Sequence, residues 1–353
     1  MIKSLQTLRF LFAILIFTHH FSFGGYQWEA AGPAGVSFFF ILSGFVMSIG
    51  YKEKVLSQSF SYKNYIINRF IRVYPLHILS LLAYIAIFGV VLTTKQWLIL
   101  PINLALLQSY IPYDSVYFSG NAVSWCLSTM FLFYVLFPFL FRYIHNHFRH
   151  SIFLLGVLII LYFMGIKNVS ENLMHYVVYI CPIFRVIDFI IGIVLFETYS
   201  RISKNIEIHN TLNILPSGLT TLLEISCFVP LAIVVLFYGS IPTQYALASL
   251  FWIPISIVIL TLSMVRGGVS RLLSARWLQE CGAISFTFYM IHQLFIIVAD
   301  KTLGMVQLNV NYVFRFIVYF LIVLCVSYVV FRYIETPIAN NLRRKYNAKT
   351  NSL

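Results

Sequence analysis

The stretch LRFLFAILIFTHH, residues 8–20, says most about the fold of this chain. It is apolar except for Arg9 near its start and the pair His19-His20 at its end. In a helix that rises about 1.5 Å per residue, Arg9 and His20 lie about 16 Å apart along the axis. Ionisable groups are costly at membrane depth, so each is a candidate functional residue. A histidine such as His20 is suited to proton transfer near neutral pH.

The composition of the whole chain indicates a membrane protein. Of 353 residues, 60% are hydrophobic and 10% are charged, and the mean hydropathy is +0.86. Soluble domains typically carry about 25% charged residues. These values predict an all-α protein that crosses the membrane many times. The five cysteines show no metal-ligand spacing, so we expect no metal site.

Ten apolar runs reach the length of a membrane span, for which a helix needs about 20 residues. They are residues 6–23, 34–51, 74–94, 122–142, 151–167, 177–197, 222–239, 244–264, 282–302 and 312–333. The apolar stretch 97–110 is shorter, and we interpret it as either an interfacial helix or a re-entrant segment. No internal repeat is visible. The sequence therefore predicts one membrane domain at 1–342 and a short basic cytoplasmic tail at 343–353.

The positions of lysine and arginine predict the orientation. If the N-terminus is inside, the inner segments hold most of the positive charge, and the outer ones hold only Lys95, Lys167 and Lys301 near helix ends. We expect both termini in the cytoplasm and the protein in the inner (plasma) membrane. The net charge of +13 follows from this bias, so we expect contacts with membrane lipids and none with nucleic acid. In this orientation Arg9 lies toward the cytoplasm and His20 toward the opposite face.

Other ionisable residues in the apolar runs have a structural interpretation. Arg185 and Asp188 are three residues apart and are expected to form an ion pair within one helix, which lowers the cost of burying both. Glu224 and Asp300 are expected at outer helix ends.

Several short motifs hold further candidate residues. In the motif from Gly32 to Phe45, small residues including Ser43 recur at helical spacing and allow close helix packing in lipid. Arg69 and Arg72 share a helix face, and arginine binds phosphate well, although both also fit a positive-inside signal. The other motif positions are Trp125, Ser128, Tyr134, His292 and Glu335. A single histidine within the membrane, such as His292, is more often a packing residue than a catalyst.

In their order along the chain, these motifs resemble the type 3 acyltransferase family of integral membrane proteins, and the resemblance covers almost the whole chain. Ten spans are also typical of that family. The motifs that carry the resemblance are Arg9 with His20; Gly35-Val36, Phe38-Phe39 and Leu42 to Phe45; Arg69, Arg72, Tyr74 and Pro75; Trp125, Leu127, Ser128, Phe133 and Tyr134; Ser285, Tyr289 and His292; and Glu335 with Pro337.

The resemblance implies an O-acyltransferase that moves an acetyl or other short acyl group from cytoplasmic acyl-CoA to a hydroxyl of a surface or exported carbohydrate. Acetyl-CoA is then a donor substrate, and no permanently bound cofactor is expected. His20 is expected to act as general base on the sugar hydroxyl or to carry the acyl group briefly. Arg9, Arg69 and Arg72 are expected to contact CoA phosphates. Successive helix positions differ by about 100°, so His19 and His20 cannot face one site equally. The spacing from Arg9 favours His20, and His19 is expected to be a packing or interface residue.

Two positions depart from the family pattern, and one alternative function stays open. Met130 stands where the family commonly has a glutamate, and Ser37 stands where many relatives have an aspartate. Met130 therefore leaves open a divergent acceptor or an inactive member. The alternative is a transporter or flippase for a sugar or lipid-linked glycan, since ten spans with intramembrane charge also fit that class. The missing repeat and the motif order argue against it.

Overall fold

The structure is a computed structural model that describes residues 2–205, 215–306 and 310–351. Within these ranges the regular structure is helical, apart from one isolated bridge between Phe23 and Tyr26. This confirms the predicted all-α class. The longer helices are α1 (Lys3–His20), α2 (Ala31–Leu56), α3 (Tyr62–Phe88), α4 (Thr94–Leu104), α5 (Trp125–Asn146), α6 (Phe148–Ile166), α7 (Pro182–Lys204), α8 (Ser217–Ser226), α9 (Val229–Leu236), α10 (Trp252–Met264), α11 (Arg276–Met305), α12 (Tyr312–Val330) and α13 (Thr336–Asn351).

Short turns of helix connect the longer ones. The short α-helices are Asp114–Tyr117, Glu171–His175, Thr243–Ala246 and Gly268–Leu273. Two π-helical turns, Tyr176–Ile180 and Phe331–Glu335, precede α7 and α13. The 3₁₀ turns are Gly89–Val91, Gln108–Tyr110, Ala122–Ser124, Tyr238–Ser240 and Ser249–Phe251.

Eight helical stretches among the described residues are long and apolar enough to cross a membrane. They coincide with eight of the ten predicted spans and confirm a protein that crosses the membrane many times. The first predicted span corresponds to α1, which has 18 residues. The eighth corresponds to a shorter apolar helix, Ser249–Met264. The full count of ten and the orientation of the termini stay predictions.

Prolines explain two interruptions that hydropathy alone does not predict. The seventh predicted span divides into α8 and α9 around Cys227, because the ring of Pro230 clashes with the carbonyl four residues earlier and its nitrogen donates no hydrogen bond. In the sixth predicted span the regular helix starts only at Pro182. The residue before a proline disfavours helical geometry, which separates α7 from the preceding π-helical turn.

The chain forms two compact units. Unit 1 contains residues 1–16, 29–60 and 132–283, and unit 2 contains residues 17–28, 61–131 and 284–353. The sequence predicted one membrane domain with a tail from residue 343. In the structure that position lies inside α13, which continues to Asn351.

In unit 1, helices α2 and α7 pack backbone against backbone at two glycines. A Cβ atom added at Gly44 would collide with the carbonyl oxygen of Phe189, and one added at Gly192 would collide with that of Ile41. The spacing of small residues in the Gly32–Phe45 motif is therefore used for close helix packing, as the sequence indicated.

Unit 1 also contains a capped turn. Glu224 on α8 accepts hydrogen bonds from the backbone N–H groups of Gly267 at 2.7 Å, Val269 at 2.8 Å and Ser270 at 3.2 Å. Its carboxylate therefore caps the start of a helical turn in another segment of the chain. The side of the membrane on which Glu224 lies, expected to be the outer one, stays a prediction.

In unit 2, the short apolar stretch before α5 is anchored on α3. Helix α4 has 11 residues, too few to cross a bilayer. His77 Nε2 lies 2.8 Å from the carbonyl oxygen of Asn103, and the Tyr74 hydroxyl donates to the carbonyl of Leu104 at 3.0 Å. These contacts hold the stretch against α3 as a short supporting helix.

Candidate active site

Two histidines that are distant in the sequence meet in unit 2. His20 is the last residue of α1, and His292 lies in the middle of α11. The Nδ1 atom of His20 is 3.1 Å from Nε2 of His292. His292 is fully buried, whereas His20 is half-buried. Both were candidate residues, but their pairing was not predicted, because they are 272 positions apart.

The hydrogen bonds of this pair determine where its protons lie. Nδ1 of His292 is 2.6 Å from the carbonyl oxygen of Tyr289. Because a carbonyl only accepts, this nitrogen donates, and Nε2 of the neutral ring is an acceptor. His20 therefore donates from Nδ1 and keeps its lone pair on Nε2. In this tautomer the basic nitrogen of a neutral His20 is Nε2.

Aromatic side chains enclose the buried histidine. The Phe288 ring is nearly parallel to that of His292, with an interplanar angle of 10° and centroids 6.3 Å apart. Phe17 lies 6.3 Å from His292 and is also fully buried. Because these rings exclude water from this side, the hydrogen bond between the two histidines lies in a low-dielectric environment that strengthens it.

Two polar contacts fix the part of α11 that carries the buried histidine. Asn121 Nδ2 donates to the carbonyl of Met290 at 2.8 Å, and the Tyr289 hydroxyl donates to the carbonyl of Val123 at 2.8 Å. Asn121 is 1% exposed. Asn121 was not among the predicted site residues, and its one signal was its place at the start of the stretch that contains Trp125.

The structure separates the two adjacent histidines of α1. His19 Nδ1 lies 3.2 Å from the carbonyl oxygen of Trp28, and its ring meets that of His20 edge to face. The two neighbours therefore have different partners, as their angular separation on a helix requires.

The loop after His20 is anchored on α12. Arg315 Nη2 donates to the carbonyl of Ser22 at 2.9 Å, and Arg315 Nη1 lies 3.8 Å from the carboxylate of Asp300. Gly24 has φ +67°, a conformation that favours glycine, and a Cβ there would contact the Tyr312 ring at 2.8 Å. These contacts define where the chain leaves α1 and so hold the end of that helix in place.

Arg72 and Glu335, both motif residues, meet elsewhere in unit 2. Arg72 Nη1 lies 3.4 Å from Oε1 of Glu335, and Thr287 Oγ1 donates to Oε2 at 2.5 Å. Glu335 is 3% exposed and ends a π-helical turn, while the Arg72 side chain is 38% exposed. Arg69 lies one turn earlier on α3 and is half-buried. Arg72 thus has a carboxylate partner within the protein, and phosphate binding by both arginines stays a prediction.

Two residues of the tryptophan motif have structural contacts. Ser128 Oγ donates to the carbonyl of Leu106 at 2.6 Å and lies 2.6 Å from Ser109 Oγ. Ser128 is fully buried. These bonds hold the turn that follows α4. Trp125 is buried as the first residue of α5.

Three other predicted residues belong to unit 1. Tyr134 is buried on α5, and Arg9 is half-buried on α1. The Ser43 hydroxyl is 3.8 Å from the sulfur of Met47, one turn along α2. Their predicted roles stay predictions.

The predicted pair of Arg185 and Asp188 is confirmed. Arg185 Nη2 is 3.2 Å from Asp188 Oδ1, and both side chains are almost completely buried in unit 1. The same Nη2 donates to Ser37 Oγ at 3.0 Å. Ser37 occupies a position at which the family resemblance predicts an aspartate. In this protein Asp188 supplies the carboxylate beside the guanidinium of Arg185.

The part of the chain that the structure describes shows no group of three His, Cys, Asp or Glu side chains able to hold a metal ion.

Comparison with known proteins supports the family that the motifs indicate. Residues 2–332 match a family described as an acyltransferase domain. The chain is 32% identical over 161 residues to "Acyltransferase MdmB" of Streptomyces mycarofaciens, which covers 41% of this chain and 40% of that protein. The match thus spans less than half of that relative. No solved structure matches. The family match extends over nearly the whole chain, and the protein therefore belongs to the type 3 acyltransferase family.

Proposed function

We propose that the protein is a membrane O-acyltransferase that moves an acetyl or other short acyl group from acyl-CoA to a hydroxyl of a surface or exported glycan. Family membership supports acyl transfer in a membrane. The observation that carries the proposal is the 3.1 Å contact between His20 and His292. It supports His20 as the reacting base, because His292 orients the His20 ring through Nδ1.

The same geometry is compatible with two routes of acyl transfer. In the first, His20 takes the proton of the acceptor hydroxyl while the hydroxyl oxygen attacks the thioester carbonyl. The C–S bond then breaks, and the proton passes from His20 to the CoA thiolate. In the second, His20 Nε2 attacks the carbonyl and CoA leaves as thiolate. The hydroxyl oxygen then takes the acyl group from the imidazole, and the hydroxyl proton passes to the CoA thiolate. In both routes positive charge develops on His20, and the accepting nitrogen of His292 stabilises it.

The donor is proposed to bind from the cytoplasmic side of the inner membrane. Arg69 and Arg72 contact CoA phosphates in this proposal, because guanidinium groups bind phosphate oxygens in bidentate fashion. Arg9 is proposed to serve the same donor. Its separation from His20 along α1, about 16 Å, is of the order of the reach of a pantetheine arm.

The test uses purified protein in lipid nanodiscs, acetyl-CoA, and envelope glycan that has been de-O-acetylated with mild alkali. The wild type should release CoA thiol only when the glycan is present. His20→Ala should lower this rate at least about 100-fold with an unchanged yield of helical protein. His19→Ala is the matched control and should stay active.

Two results would contradict the proposal. One is glycan-dependent thiol release by His20→Ala at the wild-type rate. The other is movement of glycan across the membrane by the wild type without loss of thioester, as the transporter alternative requires. The mass of envelope glycans from cells with and without the gene then identifies the acceptor, through a difference of one acyl group.

A further inference from the structure

A cavity of about 360 Å³ that is open to the surface lies in unit 2. The end of α3, the start of α4 and the short helix Asp114–Tyr117 with its following turn form its walls. The side chains that matter for its chemistry are Tyr84, Lys95, Asp114, Ser115, Phe118 and Ser119. The mechanism proposed above uses none of them.

The lining combines groups of opposite charge with hydroxyls and aromatic rings. Lys95 supplies a cation and Asp114 a carboxylate, so the two charges balance. An anion such as a phosphate gains little from a balanced pair. A sugar hydroxyl both donates and accepts hydrogen bonds and therefore suits both groups. Tyr84 and Phe118 add aromatic faces against which the C–H groups of a sugar ring can pack.

Side-chain hydrogen bonds hold the cavity wall in place. Ser119 Oγ accepts from Asn103 Nδ2 at 2.7 Å and donates to the carbonyl of Val116 at 2.5 Å. Asn103 is fully buried, and its carbonyl is bonded to His77 on α3. The start of α4 is fixed by a capping box between Thr93 and Gln96. A pocket formed in advance loses little free energy to ordering when its ligand binds.

The wall continues directly into the support of the histidine pair. After Ser119, the turn at Gly120 has φ +66°, and Asn121 follows. Asn121 donates to the carbonyl of Met290 at 2.8 Å, two residues before His292. The cavity therefore lies in the same unit as the reacting base and is connected to it by a short, buried segment. Binding energy from a part of a substrate that does not react can be used to orient the part that does.

We propose that this cavity is a carbohydrate-binding subsite that holds one or two sugar residues of the acceptor beside the residue that is acylated. Its volume is at the lower end of small-molecule pockets, which run from about 300 to 1,000 Å³. It therefore suits a small neutral sugar unit. The identification of that sugar as part of the acceptor rests on the proposed function, whereas sugar binding itself needs no catalysis.

Saturation-transfer NMR on protein in nanodiscs tests the subsite directly. The probe is the oligosaccharide mixture released by mild acid from the alkali-treated envelope glycan. The wild type and His20→Ala should bind the same oligosaccharides. Asp114→Asn and Lys95→Gln should each weaken binding about tenfold, because a hydrogen bond to a charged group is lost. Glu171→Gln is the matched control, since it makes the same change in the first turn of another short helix.

Kinetics give a second readout. Asp114→Asn should raise KM for the glycan about tenfold, with kcat and KM for acetyl-CoA within about twofold of the wild type. Equal oligosaccharide affinity in Asp114→Asn and Glu171→Gln would overturn the subsite and leave the proposed function intact. Displacement of the oligosaccharide by inorganic phosphate, or no binding by the wild type, would also overturn it. Binding that depends on Asp114 in a protein without transferase activity would support the subsite and contradict the proposed function.

Discussion

At the scale of single residues, the difference between His20 and its neighbour lies in their partners. The spacing from Arg9 already favoured His20 from the sequence, and the helical angle between successive positions means that the two histidines cannot face one site equally. What the sequence did not predict is that His292 would be the partner, because a contact across 272 positions leaves no periodic or local signal. The buried ring of His292 has a carbonyl on one side and His20 on the other, which is the arrangement of a positioning residue.

Substitutions of His292 test this role. His292→Ala should lower kcat about 10- to 100-fold with little change in either KM, because His20 loses the acceptor that orients it and stabilises its charge. His292→Gln should recover part of the rate, since the Gln amide oxygen can accept from His20 Nδ1. Steady-state kinetics per mole of folded protein measure both.

A merely structural role for His292 gives a different result. The amount of folded protein would fall in both variants, and the rate per folded molecule would stay at the wild-type value. That outcome would contradict the positioning role and leave His20 as the base.

At the scale of helices, the apolar runs predicted eight spans well, because the bilayer sets the length that such a run must have. The sequence was less informative about helix ends and breaks, because prolines and side-chain caps determine where a helix begins, ends or is interrupted. Glu224 shows the limit: its position in the sequence gave no indication that its carboxylate would accept three N–H groups from a turn more than 40 residues away.

Removing this cap should destabilise one turn. Glu224→Ala should cost about 1–3 kcal/mol, because it leaves buried backbone N–H groups without their acceptor. Trypsin should then cleave faster after Arg266 and Arg271, and the melting temperature in detergent should fall. Glu280→Gln, which disrupts only an exposed pair with Arg276, should change neither. Equal cleavage rates in Glu224→Ala and the wild type would show that the cap does not stabilise the turn.

At the scale of the whole molecule, composition and charge pattern were sufficient for the fold class and for a predicted orientation. They did not predict the two units or the cavity in unit 2, because both depend on contacts between segments far apart in the chain. The segment between α3 and α5 illustrates this. Its hydropathy marked only a short apolar stretch, while its buried Asn103 and Asn121 carry the contacts that organise unit 2.

Reporter fusions test the predicted orientation. Green fluorescent protein at the C-terminus should fluoresce, and alkaline phosphatase at the same position should be inactive, because we expect that end in the cytoplasm. Phosphatase fused after Tyr113, next to the cavity, should be active. The reverse pattern would place the cavity on the cytoplasmic side and contradict the orientation on which acceptor access from outside depends.

The contact between α2 and α7 has a consequence for how this chain tolerates change. In most soluble cores the largest buried side chains are the least replaceable, because their loss leaves a cavity. Here backbone meets backbone at Gly44 and Gly192, and even one added methyl group has no room. Variation among natural sequences and in mutational libraries should therefore be narrowest at these two smallest residues, while the aromatic side chains around them exchange more freely.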